Sequence, residues 1–417
     1  MQNHRSRSLI LLPLLLPLPA AALTPHGAPL VISELPSCSS NLDLVEVTAT
    51  PKGAFEVVWA DEGDDFEVKG QRFTRDLLPT GSPRTLLPTH GGLFFSNFLG
   101  TWAGRYEVAM NALDFGNDPG DPAAGYRVSL DLEGAPLAPA VRFKPPHFFR
   151  LAPAAGGDSL QFRVEPPIFG PPACQSEGLL ARRVDAGGAA LGPESRITRR
   201  ASAFSLGNSQ FLTDRLPDDT FVAVYLTCEK FNGLVARRLN AAGAPVGNPL
   251  NLPQPAGLGN FAGGSLVLAA RGDGDFVVGG MVFKAGGGFN GSYTRGVVNG
   301  QVFGPTLIPT PPGATGSPSL VDLAASPAGG YLLLLQSRAG NPSRDTLFAQ
   351  ALDAKGAPRG AAVAVAASGQ AGGSSSFSIA ADAASLPNGR WIVFTWQKTA
   401  DPTACSERLV GTVLAGE

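Results

Sequence analysis

Asp353-Ala354-Lys355-Gly356-Ala357-Pro358 joins the β-prone run Phe348-Ala349-Gln350-Ala351-Leu352 to a second β-prone stretch. Such a segment is a turn. Glycine supplies φ > 0, proline a fixed φ, and a short polar side chain hydrogen-bonds its own backbone. A Gly-x-Pro triplet or a near copy, each followed by a β-prone stretch, starts at Gly27, Gly81, Gly134, Gly188, Gly243, Gly300 and Gly356. The starts lie 53 to 57 residues apart. A fixed period of this size marks a repeat architecture, in which each unit is one supersecondary element.

Working outward from the turn, each unit carries an aromatic- or leucine-led run. These are Phe55–Trp59, Tyr106–Met110, Leu160–Val164, Phe221–Tyr225, Phe276–Val278, Tyr331–Leu335 and Trp391–Trp396. A small or polar residue precedes each one, among them Gly53, Asp158, Asp219, Gly274 and Gly389. Short β-branched and aromatic runs bounded by Gly, Asp and Pro read as strands. A third run follows a variable loop, as in Gly178–Val184 and Gly233–Leu239, and the Gly-x-Pro segment leads a fourth. No long stretch shows the 3.6-residue period of a capped helix. The expected fold is all-β: a seven-bladed β-propeller with four antiparallel strands, A to D, in each blade. The last unit stops after its third run. Residues 27–33 are expected to supply its missing strand, closing the ring and removing the open edges. Residues 23–417 then form a single domain.

The first 22 residues read as a signal peptide. Arg5 and Arg7 precede an apolar run from Leu9 to Leu18, and Ala20-Ala21-Ala22 offers a cleavage site. The run is too short and too interrupted by proline for a bilayer span. Export to the periplasm or the medium is expected. Loss of the leader takes two arginines and changes the net charge from −2 to −4. That balance gives no footprint for nucleic acid and no polybasic patch for a membrane. Four cysteines in an exported chain point to disulfides. Cys38 follows the amino-terminal D strand, and Cys405 lies in the B–C loop of the last blade. Cys174 and Cys228 fall in the B–C loops of two adjacent blades. The register therefore pairs Cys38 with Cys405 and Cys174 with Cys228.

The units carry Asp273-Gly274-Asp275-Phe276-Val277-Val278, Val57-Val58-Trp59, Gly70-Gln71-Arg72-Phe73 and Phe348–Pro358. In these motifs the chain resembles secreted bacterial propeller-like repeat proteins whose blades read Asp-Gly-x-Phe-Val-Val-x-Trp, then Ala-Gln-Arg-Phe-Asp-x-x-Gly-x-Pro-x-Gly. The resemblance implies the fold and export, and it brings no catalytic residues.

The chain has no Gly-x-Ser-x-Gly elbow, His-Glu-x-x-His helix or phosphate loop. No catalytic residue and no cofactor is assigned. One acidic cluster is a candidate for Ca²⁺: Asp61 and Asp64 in the first B–C loop, with Asp114, Asn117 and Asp118 in the second. Hard cations take six to eight oxygen ligands. His90 and His147 lie in D–A connections on the same face. The alternative is a solvated acidic rim. Arg182, Arg183, Arg237 and Arg238, near Arg196, Arg199 and Arg200, read as strand-covering stems rather than a glycan patch. Arg271-Gly272-Asp273 reads as a turn. The expected function is an exported, non-catalytic binding or scaffold module. It would hold a protein or glycan ligand on the B–C/D–A loop face. The alternative is a propeller enzyme acting on glycans through acidic loop residues.

Overall fold

The computed structural model describes residues 23–35, 45–50, 52–62, 66–88, 92–102, 105–114, 123–131, 133, 135–143, 149–154, 157–164, 176–185, 187–202, 211–227, 233–253, 266–283, 289–339, 344–367, 381–386, 389–398 and 407–416. Among them the chain forms seven antiparallel sheets. A short 3₁₀ turn spans Pro217–Asp219. Six sheets have four strands, each laid beside its predecessor in chain order. Sheet 6 is typical, with strands Ala314–Ala325, Tyr331–Ala339, Arg344–Leu352 and Pro358–Ala367. All-β sheets of this kind, repeated along the chain, are consistent with a propeller.

Sheet 7 joins the two ends of the described chain. Its strands Ala381–Ser385, Trp391–Lys398 and Glu407–Gly416 run in order. Two amino-terminal strands, Leu23–Pro25 and Leu30–Leu35, then pair with the last of these, one after the other. They are two halves of one fourth strand. In sheets 1, 4 and 6 the fourth strand also breaks register shortly after a proline partner. Those prolines are Pro79, Pro245 and Pro358, each facing the last residue of the third strand, and Pro25 faces Leu414 in the same way.

This register corrects the placement of two repeat copies. Gly27 and Gly81 stand two residues after Pro25 and Pro79, as Gly247 and Gly360 stand after Pro245 and Pro358. All four have positive φ, between 65° and 82°. They belong to a β-bulge in the fourth strand, not to the turn before it. The turn itself carries Gly188, Gly243 and Gly356, with φ of 80° to 83°. Leu77 holds the same place in sheet 1 at φ 66°. Asp185, Asn240 and Asp353 open these turns, and each accepts two backbone N–H bonds through Oδ1. Thr74 does so through Oγ1 in sheet 1. Gln71 and Gln350, from the Gln-Arg and Gln-Ala pairs of the repeat, donate to the carbonyls of Gly81 and Arg359 at 2.9 Å and pin the bulges.

The cores lie between consecutive sheets. One cluster joins sheets 3 and 4, and others join 4 and 5, 5 and 6, and 6 and 7. Another joins sheet 7 to sheet 1, where Phe55 stacks on Phe73 at 5.1 Å and meets Phe394 at 5.8 Å. Trp59, Trp391 and Trp396 are buried in these clusters, as strand-packing tryptophans should be. The first strands of sheets 1 to 7 are Val45–Ala49, Gly92–Trp102, Phe149–Pro153, Phe211–Arg215, Val267–Ala270, Ala314–Ala325 and Ala381–Ser385. Each lies against the next in that order, and the seventh lies against the first.

The turn of one sheet also plugs the sheet before it. A Cβ on Gly243 would stand 2.7 Å from Leu160 Cδ1 and 3.0 Å from Ala181 Cβ. A Cβ on Gly247 would meet nothing within 4 Å. Gly247→Ala should therefore cost about 1 kcal/mol, from φ alone. Gly243→Ala should cost about 1–3 kcal/mol more, by overpacking. Urea unfolding of the two variants checks the difference, and equal losses would contradict this packing.

Candidate functional site

The first strand of each sheet has one edge without a backbone partner in its own sheet. Buried edge N–H groups need acceptors. On three first strands, aspartates supply them to the next sheet. Asp214 Oδ2 accepts from Ala270 N at 2.7 Å. Asp322 Oδ2 accepts from Ala383 N at 3.3 Å, and Asp382 Oδ2 accepts from Val47 N at 2.5 Å. Asp382 Oδ1 also takes the Ala383 N–H, at 2.8 Å, so this one donor sits between two carboxyl groups.

Register brings a third acid to the same level. Asp322 faces Leu334, Asp382 faces Phe394 and Glu46 faces Val58. Each partner is the fourth residue of its second-strand run. Asp214 faces Val222, the second residue of its run, and so lies nearer the opposite rim. Glu46, Asp322 and Asp382 thus come from three consecutive first strands, toward the B–C side. All three are half-buried and keep some contact with solvent.

The pair and Asp214 differ in degree, for the charge of Asp322 also raises Asp214. Burial pushes the Asp382 carboxyl well above the usual range, and the charges of Asp322 and Glu46 push it further. Burial also raises Asp322, while its hydrogen bond to Asp382 lowers it. Like charges in contact cannot both ionise cheaply. Asp214 is pushed up to about 6 by burial, offset by the N–H bonds from Ala270 and Arg215. The site thus brings together two carboxyl groups whose joint ionisation is disfavoured, with a third acid, Glu46, alongside. Those are the parts of general acid–base chemistry.

None of these four residues was singled out from the sequence. Their signal is an isolated acid inside a short apolar run, as in Val45-Glu46-Val47, Val321-Asp322-Leu323 and Ala381-Asp382-Ala383. The acids that were singled out stand elsewhere. Asp61 and Asp114 lie near the ends of second strands, and Asp64, Asn117 and Asp118 lie outside the described residues. So do His90, His147 and the four cysteines Cys38, Cys174, Cys228 and Cys405. Among the described residues no group of three or more His, Cys, Asp or Glu is arranged to hold a metal ion.

The arginines are straps between sheets. Arg183 donates to Asp158 at 2.8 Å in its own sheet and reaches Asp219 at 3.1 Å and the Ala241 carbonyl at 3.3 Å in the next. Arg238 reaches the Gly274 carbonyl at 2.8 Å, and Arg182 holds Gln161. Arg271 pairs with Asp273 and Asp275 inside its own turn, which leaves its guanidinium 13% exposed. That tripeptide is a closed turn.

No family model and no curated protein matches the chain. Solved structures do. A polysaccharide lyase of family PL25, an ulvan lyase, is 10% identical over 91% of this chain and 96% of its own, with a TM-score of 0.48. The endosialidase of phage phi92 is 10% identical over 95% of this chain and 69% of its own, at 0.47. A protein of unknown function from Dyadobacter fermentans is 10% identical over 93% and 99%, also at 0.47.

The expectation of a non-catalytic scaffold is corrected. It rested on the absence of an in-strand acidic pair, and Asp322 and Asp382 are such a pair.

A second buried acid lies apart, on sheet 1. Glu56 is fully buried, and its Oε1 pairs with Arg84 at 2.7 Å. Burial pushes it up to about 8, against the lowering charges of Arg84 and Arg72. A folded-state pKa above the ordinary 4.5 means that the folded protein binds this proton more tightly than the unfolded chain. The stabilisation is complete below about 4.5 and is lost as pH rises through about 8. Glu56→Gln should flatten the stability profile across that window and gain about 2–4 kcal/mol on wild type at its alkaline end. Denaturant melts at a series of pH values check this, and parallel profiles would refute it.

Proposed function

We propose that the chain is an exported seven-bladed propeller enzyme that cleaves glycans, with Asp382 as proton donor, Asp322 as the residue that sets its pKa, and Glu46 as base. The observation that carries this is the contact between the Asp322 and Asp382 carboxyl groups, both raised by burial, at the level of Glu46 on three consecutive first strands. Glycosidic cleavage needs a carboxylic acid and a carboxylate flanking one bond. In the proposed step the Asp382 proton passes to the leaving glycosidic oxygen as the bond from that oxygen to the anomeric carbon breaks. Water adds to the anomeric carbon and gives its proton to the Glu46 carboxylate. The titles of the similar ulvan lyase and endosialidase agree with a glycan substrate.

The closed ring is part of this proposal. It is supported by the pairing of residues 23–35 with Glu407–Gly416 and by the core shared between sheets 7 and 1. Leu35 and Glu407 are register partners, so Cys38 and Cys405 leave the sheet from one pair of residues. That supports a Cys38–Cys405 disulfide at the seam, with Cys174–Cys228 as the second. The loop face with Asp61, Asp64, Asp114, Asn117 and Asp118 would receive the polymer, with or without Ca²⁺. The Arg5-to-Ala22 leader supports export.

The test is release of reducing ends from a panel of neutral, uronate and sulfated polysaccharides. Asp382→Asn and Asp322→Asn should each lower turnover about 10²- to 10⁴-fold with Tm preserved. Asp214→Asn, which removes a carboxylate with the same bridging role nearer the opposite rim, should retain turnover. Because the donor must be protonated, turnover should fall as pH rises through the raised pKa of Asp382. Wild-type activity undiminished in Asp382→Asn, or no product from any polymer, would overturn the proposal.

A further inference from the structure

On the rim opposite the B–C loops a cavity of about 710 Å³ lies at the seam between sheets 7 and 1. Four chain segments wall it. The bulge of the closing strand brings His26 and Gly27, and the turn between the first two strands of sheet 1 brings Lys52. The turn before the fourth strand of sheet 1 brings Arg75 and Asp76, and the first turn of sheet 7 brings Arg390. Leu386 and Val413 add an apolar floor.

The register explains why space is left here. Val413 faces Ile392, the second residue of its second-strand run. In sheets 3 and 4 the same place holds Arg183 and Arg238, which extend across to the following sheet. A valine cannot make that bridge. Sheets 2, 5 and 6 also lack an arginine at this place, where they hold Ser129, Gly296 and Ala351, so the seam is one of several without the strap. Its lining carries Lys52, Arg75 and Asp76, together with Arg390, which already has a partner within the protein. Arg75 and Asp76 meet at 3.8 Å but are about three-quarters exposed, so this pair neutralises little.

We propose that this cavity binds an acidic oligosaccharide of two to four residues, carrying uronate carboxylates or sulfates. The volume is that of a small-molecule pocket, far larger than a single inorganic anion needs. The cations meet the acid groups through charge-assisted hydrogen bonds, and the apolar floor meets the C–H face of a sugar ring. The cavity is remote from Glu46, Asp322 and Asp382, so the inference stands independently of the catalytic proposal.

Calorimetry on the full exported chain is the test. The probes are a galacturonate trimer, a heparin tetrasaccharide, neutral maltotriose, sodium sulfate and a glutamate tripeptide. One of the two acidic saccharides should bind and maltotriose should not. The affinity should fall with added salt, and about tenfold or more in Lys52→Gln/Arg75→Gln. Both positions are on exposed turns, and an unchanged Tm confirms that the variant folds. Val413→Arg, which places a long side chain in the cavity as Arg183 and Arg238 are placed in sheets 3 and 4, should abolish binding. Asp382→Asn should bind like wild type whether or not the chain cleaves any polymer. The inference fails if neither acidic saccharide binds, if the Lys52/Arg75 variant binds as wild type, or if sulfate or the glutamate tripeptide binds more tightly than both saccharides.

Discussion

The pairing of Leu30–Leu35 with Glu407–Gly416 is the contact on which the rest depends. From sheet 3 round to sheet 1, the described apolar side chains are buried where consecutive sheets meet. A row of seven such sheets would leave two faces bare and one sheet short of a strand. The terminal pairing supplies the strand. Phe55, Phe73 and Phe394 then bury the two faces that would otherwise meet water. Each such aromatic ring contributes roughly 1.5–3 kcal/mol on burial. Weakening the seam therefore exposes sheets 1 and 7 together, although they lie far apart in sequence.

Around the inner strands, structure and chemistry use the same atoms. An edge N–H buried between sheets must find an acceptor, and a short carboxylate reaches it from the neighbouring strand. Where one carboxylate does this, as at Asp214, the result is a stitch with a raised pKa. Where adjacent strands do it at one level, the carboxylates meet, and repulsion disfavours their joint ionisation. Asp322 and Asp382 have arrived at that state through a role that first-strand packing already demands. Because the stitch needs only an acceptor oxygen, asparagine can keep the fold while removing the acid.

The sheets were legible from sequence because turns punctuate them. Aromatic-led runs such as Tyr331–Leu335 and Trp391–Trp396 sit where strands were expected, and the closing strand was visible from the incomplete last unit. The register was legible only in part. Gly-x-Pro occurs at both the turn and the bulge, four residues apart, and sheet 1 has Leu77 at the turn, so Gly81 was taken for its counterpart. The inner carboxylates escaped notice for a different reason. Glu46, Asp322 and Asp382 each look like one acid in an apolar strand, and their proximity exists only once sheets 6, 7 and 1 are side by side. Residues 46 and 382 are neighbours solely through the seam.

The seam also dictates when the molecule becomes whole. Its two partners stand some 370 residues apart, so nearly the entire chain must emerge before Leu30–Leu35 finds Glu407–Gly416. Until then the amino-terminal segment waits as an unpaired ribbon, and contacts this distant in sequence form slowly. A polypeptide threaded through a membrane from its amino end would travel as an open, incomplete array. It would acquire the neighbourhood of residues 46 and 382 only on the far side, so that any acid–base activity is withheld until delivery is finished.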